Sequence, residues 1–127
     1  MKRPEQEAQI ALIAWANLAA CTIPELAMLY HIPNGGKRTK VDAARLKQMG
    51  VKPGVPDLCL PIPRNGCSGL WIEMKAGKGK PTDSQHWWLS RLSEYGHAVA
   101  VCTGWEEARA VILSYLSRQA QPLGSVQ

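Results

Sequence analysis

Two carboxylates and a lysine occupy positions where the surrounding sequence is apolar. Asp57 precedes the run Leu58–Leu60, while Glu73 and Lys75 alternate with apolar residues over 70–75. A carboxylate inside a sheet is costly unless it is paired or bound to a cation. Two carboxylates that converge on one point form a hard-oxygen site of the kind that Mg²⁺ or Mn²⁺ occupies. The alternative is a structural salt bridge at a sheet edge.

The two carboxylates share a sheet face in only one hairpin register. Glu73 and Lys75 lie two residues apart, so they point to the same face of a strand. A two-residue turn at Asn65 and Gly66 would place Asp57 opposite Met74, on the wrong face. A three-residue loop or a bulge would instead place Asp57 opposite Glu73. A shared metal site therefore predicts an odd-length loop or a bulge in this hairpin.

The elements that must position these groups follow from periodicity and turn residues. Thr82 and Gln85 have the spacing of a capping box, so a helix should begin there and end near Gly96. The chain predicts helices over 5–20, 41–49, 82–95 and 108–116, a loop over 31–40, and strands over 55–61, 70–75 and 98–102. The last strand is apolar and should be buried on both faces. We expect an α/β fold with a small mixed sheet, in which an antiparallel hairpin is flanked by helices.

Positive charge is concentrated in two segments, 37–52 and 75–80. They hold nine Lys and Arg residues against one acid, a net charge of +8, while the whole chain has a formal net charge of +5. Such an excess suits a polyanion, most often nucleic acid, although a solvated basic face gives the same count. The glycines of the 34–38 loop would let backbone N–H groups approach a phosphate. The candidate DNA-binding residues are Asn34, Gly35, Gly36, Lys37, Arg38, Lys40, Lys52 and Lys78.

Length and composition exclude several classes of protein. The 127 residues, 46% hydrophobic and 20% charged, fit one globular domain and exclude a disordered chain. We expect that domain to cover 1–118 and a flexible tail to cover 119–127. The four cysteines and three histidines have no zinc-finger spacing, so structural zinc is not expected. Cys59 and Cys102 lie in apolar runs, and we expect all four cysteines to be reduced thiols in a cytoplasmic protein. No apolar run approaches the roughly 18–20 residues that span a membrane.

Longer strings surround the two carboxylates. The pair Pro56-Asp57 is followed, after an interval, by Glu73-Met74-Lys75. This pattern is short and degenerate, so by itself it is a weak signature. The supporting strings lie at 33–36, 46–58, 69–75, 85 and 107–116. Together they resemble the VRR-NUC family of PD-(D/E)xK nucleases, over nearly the whole chain from 7 to 116. The similarity is to the compact stand-alone form found in phages and bacteria.

This resemblance implies a restriction-endonuclease-like core and divalent-metal-dependent cleavage of DNA phosphodiester bonds. It implies that Asp57, Glu73 and the main-chain carbonyl of Met74 ligate Mg²⁺ or Mn²⁺. It also implies that Lys75 positions or polarises the attacking water and stabilises charge on the phosphate.

The resemblance implies two further site residues. Glu7 matches the acidic residue of the family's first helix and would join the metal site, with Glu5 as a competing candidate. Gln85 matches the glutamine that follows the family's lysine, and its capping-box role can coexist with a role in the site.

The residues therefore favour a metal-dependent, structure-selective DNA endonuclease. The resemblance to the stand-alone members implies a homodimer, and two sites related by a two-fold axis suit incisions on paired strands, so the best specific expectation is cleavage of Holliday junctions. The alternatives are a flap or nicking nuclease, a non-catalytic basic DNA-binding module, and a metalloenzyme without a nucleic-acid substrate.

We expect one of Trp87 and Trp88 to pack in the core, and Trp87 to serve a subunit interface or stack on DNA. His31 is expected either to pack in its loop or to contact DNA.

Overall fold

Four strands form one mixed sheet in the order β1-β2-β3-β4. The computed structural model describes residues 3–33 and 39–118. The strands are β1 (Tyr30–His31), β2 (Leu58–Leu60), β3 (Leu70–Lys75) and β4 (Ala98–Thr103). Neighbouring strands are antiparallel except β3 and β4, which are parallel. The predicted α/β fold, with its small mixed sheet and antiparallel hairpin, is confirmed.

Helices cover both faces of this sheet. They are α1 (Arg3–Ala19), a 3₁₀ helix (Pro24–Met28), α2 (Lys40–Gln48), α3 (Asp83–Glu94) and α4 (Trp105–Leu116). Helices α1 and α4 pack against each other and against β3, where Leu12, Ile112 and Tyr115 join the buried core. Helix α3 lies on the other face, as the crossover that a parallel β3–β4 pair requires.

Three sequence expectations about strands differ from the structure. Strand β4 is an edge strand with Val101 40% exposed, so it is not buried on both faces as predicted. Strand β2 is shorter than 55–61, because Pro56 and Pro61 lack the N–H group that a ladder needs. The two-residue β1 begins at Tyr30 and takes in His31, the first residue of the predicted loop.

Other expectations concern the cysteines, the ends of the chain and membranes. All four cysteines are free, and Cys59 and Cys102 are buried, as small core residues should be. The predicted loop 34–38 and the predicted tail 119–127 lie outside the described residues. Within the part that the structure describes, no helix has the length and apolar character to cross a membrane.

The tip of the β2–β3 hairpin is a two-residue turn. Arg64 and Cys67 exchange both backbone hydrogen bonds, at 3.0 and 2.8 Å. Between them Asn65 and Gly66 have φ values of 48° and 82°, the positive pair that a type I′ turn requires. The three-residue loop considered from the sequence is therefore not formed.

A bulge below the tip supplies the odd residue instead. In the strands Leu60 pairs with Leu70, although an unbroken ladder from the tip would pair Leu60 with Trp71. Three residues at 61–63 thus face two residues at 68–69, which is the count of a bulge. Continuing the strand register by one residue places Asp57 across from Glu73.

Side chains from the helices hold the bulge. The Tyr115 hydroxyl donates to the Ile62 carbonyl at 2.6 Å. The Arg64 guanidinium donates to the Pro63 carbonyl at 2.9 Å and pairs with Glu25 at 2.7 Å. Two carbonyls at the bulge, those of Ile62 and Pro63, therefore have side-chain donors. The bulge is a built feature that brings the two carboxylates to one face.

Candidate active site

Strand β3 separates core side chains from site side chains. Leu70, Ile72 and Met74 are buried among the core residues of α1 and α4. Glu73 and Lys75 alternate with them, so they point to the face that α3 covers. They are 3% and 8% exposed, and they are the buried charged residues of the described chain. Their burial means that each needs a polar partner.

Asp57 enters the site from the segment before β2. Its Oδ2 accepts a hydrogen bond from the Met74 backbone N–H at 2.8 Å. The Asp57 carbonyl accepts from the Ile32 N–H at 2.8 Å and contacts His31 Nδ1 at 2.8 Å. Because a carbonyl oxygen only accepts, Nδ1 of His31 carries the proton. The exposed ring of His31 thus anchors the backbone that presents Asp57.

The Met74 carbonyl also belongs to this edge. In an extended strand the N–H and C=O of one residue point to the same side. The Met74 N–H points to Asp57, so its carbonyl faces the Asp57 side as well. The pairing between β2 and β3 ends at Leu58 and Ile72, so Met74 lies two residues beyond the last pair. The Met74 carbonyl is thus a backbone oxygen on the side of β3 that faces Asp57.

Gln85 connects the charged residues to the start of α3. Its Oε1 accepts from Lys75 Nζ at 2.8 Å and from the Thr82 N–H at 2.9 Å, and its Nε2 donates to Glu73 Oε2 at 3.3 Å. Thr82 Oγ1 in turn accepts from the Gln85 N–H at 3.3 Å, which completes the predicted capping box. Lys75 Nζ also lies 3.4 Å from Glu73 Oε2. One side chain therefore caps the helix and orders the site.

The site has more negatively than positively charged groups. Burial and the neighbouring Asp57 carboxylate raise the pKa of Glu73 from 4.5 to about 8, and Lys75 opposes part of this rise. One lysine therefore does not balance two facing carboxylates in a low-dielectric setting. A cation between Asp57 and Glu73 would remove the imbalance.

The donor set fits a hard divalent cation. Two carboxylates and the Met74 carbonyl offer oxygen ligands, which Mg²⁺ and Mn²⁺ prefer. Over residues 3–33 and 39–118, no cluster of three or more His, Cys, Asp and Glu side chains could hold a metal. The remaining ligands would have to be water, which suits Mg²⁺ because it usually keeps several waters.

The structure does not bring Glu7 to this site. Glu7 is exposed and its Oε1 pairs with Arg3 Nε at 3.2 Å, an ion pair between successive turns of α1. Glu5 is half-buried and lies seven residues before Leu12, so it shares the stripe of α1 that packs on the core. Sequence alone left the two acids open, and no described contact of either acid reaches Asp57, Glu73 or Lys75.

The candidate DNA-binding residues lie on exposed surface where they are described. Lys40, Lys52 and Lys78 are exposed, and α2 has no buried residue. Asn34, Gly35, Gly36, Lys37 and Arg38 lie outside the described residues. Trp87 is 57% exposed, whereas Trp88 is half-buried, and their rings meet edge to face with centroids 5.7 Å apart. Trp88 is therefore the packing member of the pair.

One site contact was missed at the sequence level. Gly54 is buried, has φ +87°, and lies directly against the backbone of Ser84 and Gln85. The sequence gives a weak signal for this contact, since Gly54 interrupts a proline-rich segment just before Asp57. The close approach joins the Asp57 segment to the first turn of α3.

Comparisons with known proteins agree with this fold. The family model described as the VRR-NUC domain matches residues 3–106. A solved structure described as a "VRR_NUC domain protein" is similar, with a TM-score of 0.79 and 28% sequence identity. The similarity covers 94% of this chain and 93% of that one. No curated protein matches this sequence.

Proposed function

The chain belongs to the VRR-NUC family, whose members are nucleases of the restriction-endonuclease-like superfamily, and from this premise we propose that it is a divalent-metal-dependent endodeoxyribonuclease. The observation that carries the proposal is the convergence of Asp57 and Glu73 beside Lys75 and Gln85. This set of groups suits hydrolysis of a phosphodiester: two carboxylates, a lysine, and the Gln85 amide that contacts Glu73 and Lys75.

Asp57, Glu73 and the Met74 carbonyl would hold the metal ion. When bound, Mg²⁺ or Mn²⁺ supplies charge stabilisation at the phosphate and lowers the pKa of a bound water. The Lys75 ammonium adds a compact positive charge next to Glu73 and positions the attacking water or the phosphate. Gln85 fixes the direction of Lys75 Nζ, because its Oε1 accepts from it at 2.8 Å.

An acid of α1 completes the proposed site, with Glu7 as the residue that the resemblance gives and Glu5 as the competing candidate. Glu5 is half-buried, whereas Glu7 is exposed and paired with Arg3. Either carboxylate would hold a water of the metal ion without touching the metal itself.

The substrate that we propose is DNA, held by its phosphates. Lys40 and Lys52 flank α2, a helix without buried side chains, and Lys78 lies in the loop that follows Lys75. Carboxylates at a phosphate-facing surface repel DNA unless a cation intervenes. The pairing of Asp57 with Glu73 therefore argues against a basic module that only binds DNA.

Branched DNA and a homodimer complete the proposal. Two copies related by a two-fold axis would present two sites, which suits symmetric incision of a four-way junction. A flap or nicking nuclease keeps the same site and changes only the preferred DNA. Cleavage assays on DNA of each structure distinguish these substrates.

The test is cleavage of end-labelled DNA of defined structure. Four-way junctions, flaps, nicked duplex and plain duplex are incubated with the wild type, Glu73→Gln and Lys75→Met, with Mg²⁺, Mn²⁺ or EDTA. Glu94→Gln is the matched control, because Glu94 is exposed and pairs only with Arg91 on the surface of α3. We expect junction cleavage that requires metal and falls at least about 100-fold in the two site variants.

Three outcomes would contradict parts of this proposal. Full cleavage in EDTA would exclude the metal, and equal cleavage of all substrates would exclude structure selectivity. Binding without cleavage, with a steep salt dependence, would favour the DNA-binding module. A monomer by sedimentation that still cuts junctions in pairs would exclude the dimer.

A further inference from the structure

Gly54 lies in unusually close contact with the first turn of α3. A Cβ atom built on Gly54 would lie 2.5 Å from the Ser84 carbonyl carbon, 2.6 Å from the Ser84 carbonyl oxygen and 2.9 Å from the Gln85 nitrogen. These are backbone atoms, so they cannot rotate away as a flexible side chain could. Gly54 also has φ +87°, in the left-handed region that favours glycine.

This contact joins the two segments that build opposite sides of the site. Gly54 lies three residues before Asp57, whose carboxylate accepts from the Met74 N–H. Gln85 is a contacted residue, and its amide holds Glu73 and Lys75. The distance between the Asp57 segment and α3 is therefore set where the bare Cα of Gly54 meets the helix backbone.

We propose that Gly54 is a positioning residue, which places the first turn of α3 so that the Gln85 amide reaches both Glu73 and Lys75. This inference rests on the proposed nuclease function. A side chain at 54 would push against the Ser84 carbonyl and the Gln85 nitrogen, and so would strain and displace the first turn of α3. The Gln85 amide would then move away from Lys75 Nζ.

Gly54→Ala tests this proposal, with Gly50→Ala as its matched control. Gly50 has φ +105°, and a Cβ added there would meet nothing within 4 Å, so the control carries the same backbone strain without the contact. We expect Gly50→Ala to cleave within about two-fold of the wild type. We expect Gly54→Ala to lose about 100-fold, the usual effect of a misplacement near 1 Å in an active site. Equal losses in the two variants would overturn the proposal.

A double mutant separates positioning from general damage. If Gly54 acts through Gln85, adding Gly54→Ala to Gln85→Ala should lower cleavage by less than about three-fold further. Two losses that multiply would show independent effects and overturn the proposal. Rescue of Gly54→Ala by added metal alone would also contradict it.

Hydrogen exchange gives a readout that does not depend on catalysis. The Gln85 N–H donates to Thr82 Oγ1, so its exchange reports the placement of the first turn. It should speed up in Gly54→Ala and stay unchanged in Gly50→Ala, even if no DNA is cut. Unchanged exchange in both would overturn the positioning role, whereas an inactive wild type would instead contradict the proposed function.

A second variant covers the case in which Gly54→Ala does not fold. Thr82→Val removes the Oγ1 acceptor from the first turn and leaves Gly54 in place. We expect it to fold and to lose at least about ten-fold in cleavage, while Ser90→Ala, at an exposed position of α3, keeps wild-type activity. Wild-type activity in Thr82→Val would show that placement of this turn does not matter.

Discussion

Without a metal ion, the free energy of unfolding should fall as the pH rises from about 5 to 8. Burial beside Asp57 raises the pKa of Glu73 to about 8, whereas an unfolded glutamate has a pKa near 4.5. Between these two values the folded protein keeps a proton that the unfolded chain has lost. Stability falls with pH wherever the folded state binds more protons.

The pH dependence of the free energy of unfolding is limited by the single proton that Glu73 binds. A single group changes stability by no more than about 1.4 kcal/mol per pH unit, or about 2.7 kcal/mol over two units. Lys75 and Gln85 both contact the Glu73 carboxylate and soften the titration. We therefore expect the wild type to lose about 1–2 kcal/mol relative to Glu73→Gln between pH 5.5 and 7.5. Above pH 8 the difference should level off.

Urea unfolding in EDTA measures this difference, because urea does not screen charges. Glu94→Gln is the control, since Glu94 is exposed and its removal should leave the pH profile parallel to that of the wild type. With millimolar Mg²⁺ the fall should disappear or reverse, because the metal binds the ionised carboxylates. Parallel profiles for the wild type and Glu73→Gln in EDTA would refute the reasoning.

Two further predictions concern the first helix and the hairpin. Glu5→Gln and Glu7→Gln, compared in the junction assay, identify the acid of α1 that joins the site: replacing that acid should lower metal-dependent cleavage at least about ten-fold, while replacing the other should stay within about two-fold. Wild-type cleavage by both variants would exclude an acid of α1 from the site. Tyr115→Phe leaves the Ile62 carbonyl without its donor and should lower the free energy of unfolding by about 1–3 kcal/mol in urea. Tyr95→Phe, at a position 76% exposed, is its control, and an equal loss in both would contradict the anchoring role.

The hairpin illustrates how far the sequence could be read. Requiring Asp57 and Glu73 on one face predicts an odd residue in the connection, and a bulge provides it. Local turn preference favoured Asn65 and Gly66 as a two-residue turn, which is also formed. The sequence offered the two solutions as alternatives. The structure combines them, and the bulge is held by a hydrogen bond from Tyr115, 53 residues away from the Ile62 carbonyl. Such a distant partner cannot be read from the hairpin itself.

The error at the edge of the sheet has a physical source. Apolar content predicted that strand 98–102 was buried on both faces, yet Val101 is 40% exposed at the sheet edge. Periodicity within one element indicates its amphipathic pattern. It does not indicate which neighbours cover that element.

Gln85 explains why the helix start and the site cannot be adjusted separately. A capping box accepts either glutamate or glutamine at this position, because only an acceptor for the N-cap N–H is needed. Here the side chain must also accept from Lys75 and donate to Glu73. A glutamate could accept but not donate when ionised, and it would add a third negative charge beside a carboxyl whose pKa is already raised to about 8. An amide meets all three demands, so glutamine at the third position of α3 serves both the helix cap and the contacts to Lys75 and Glu73.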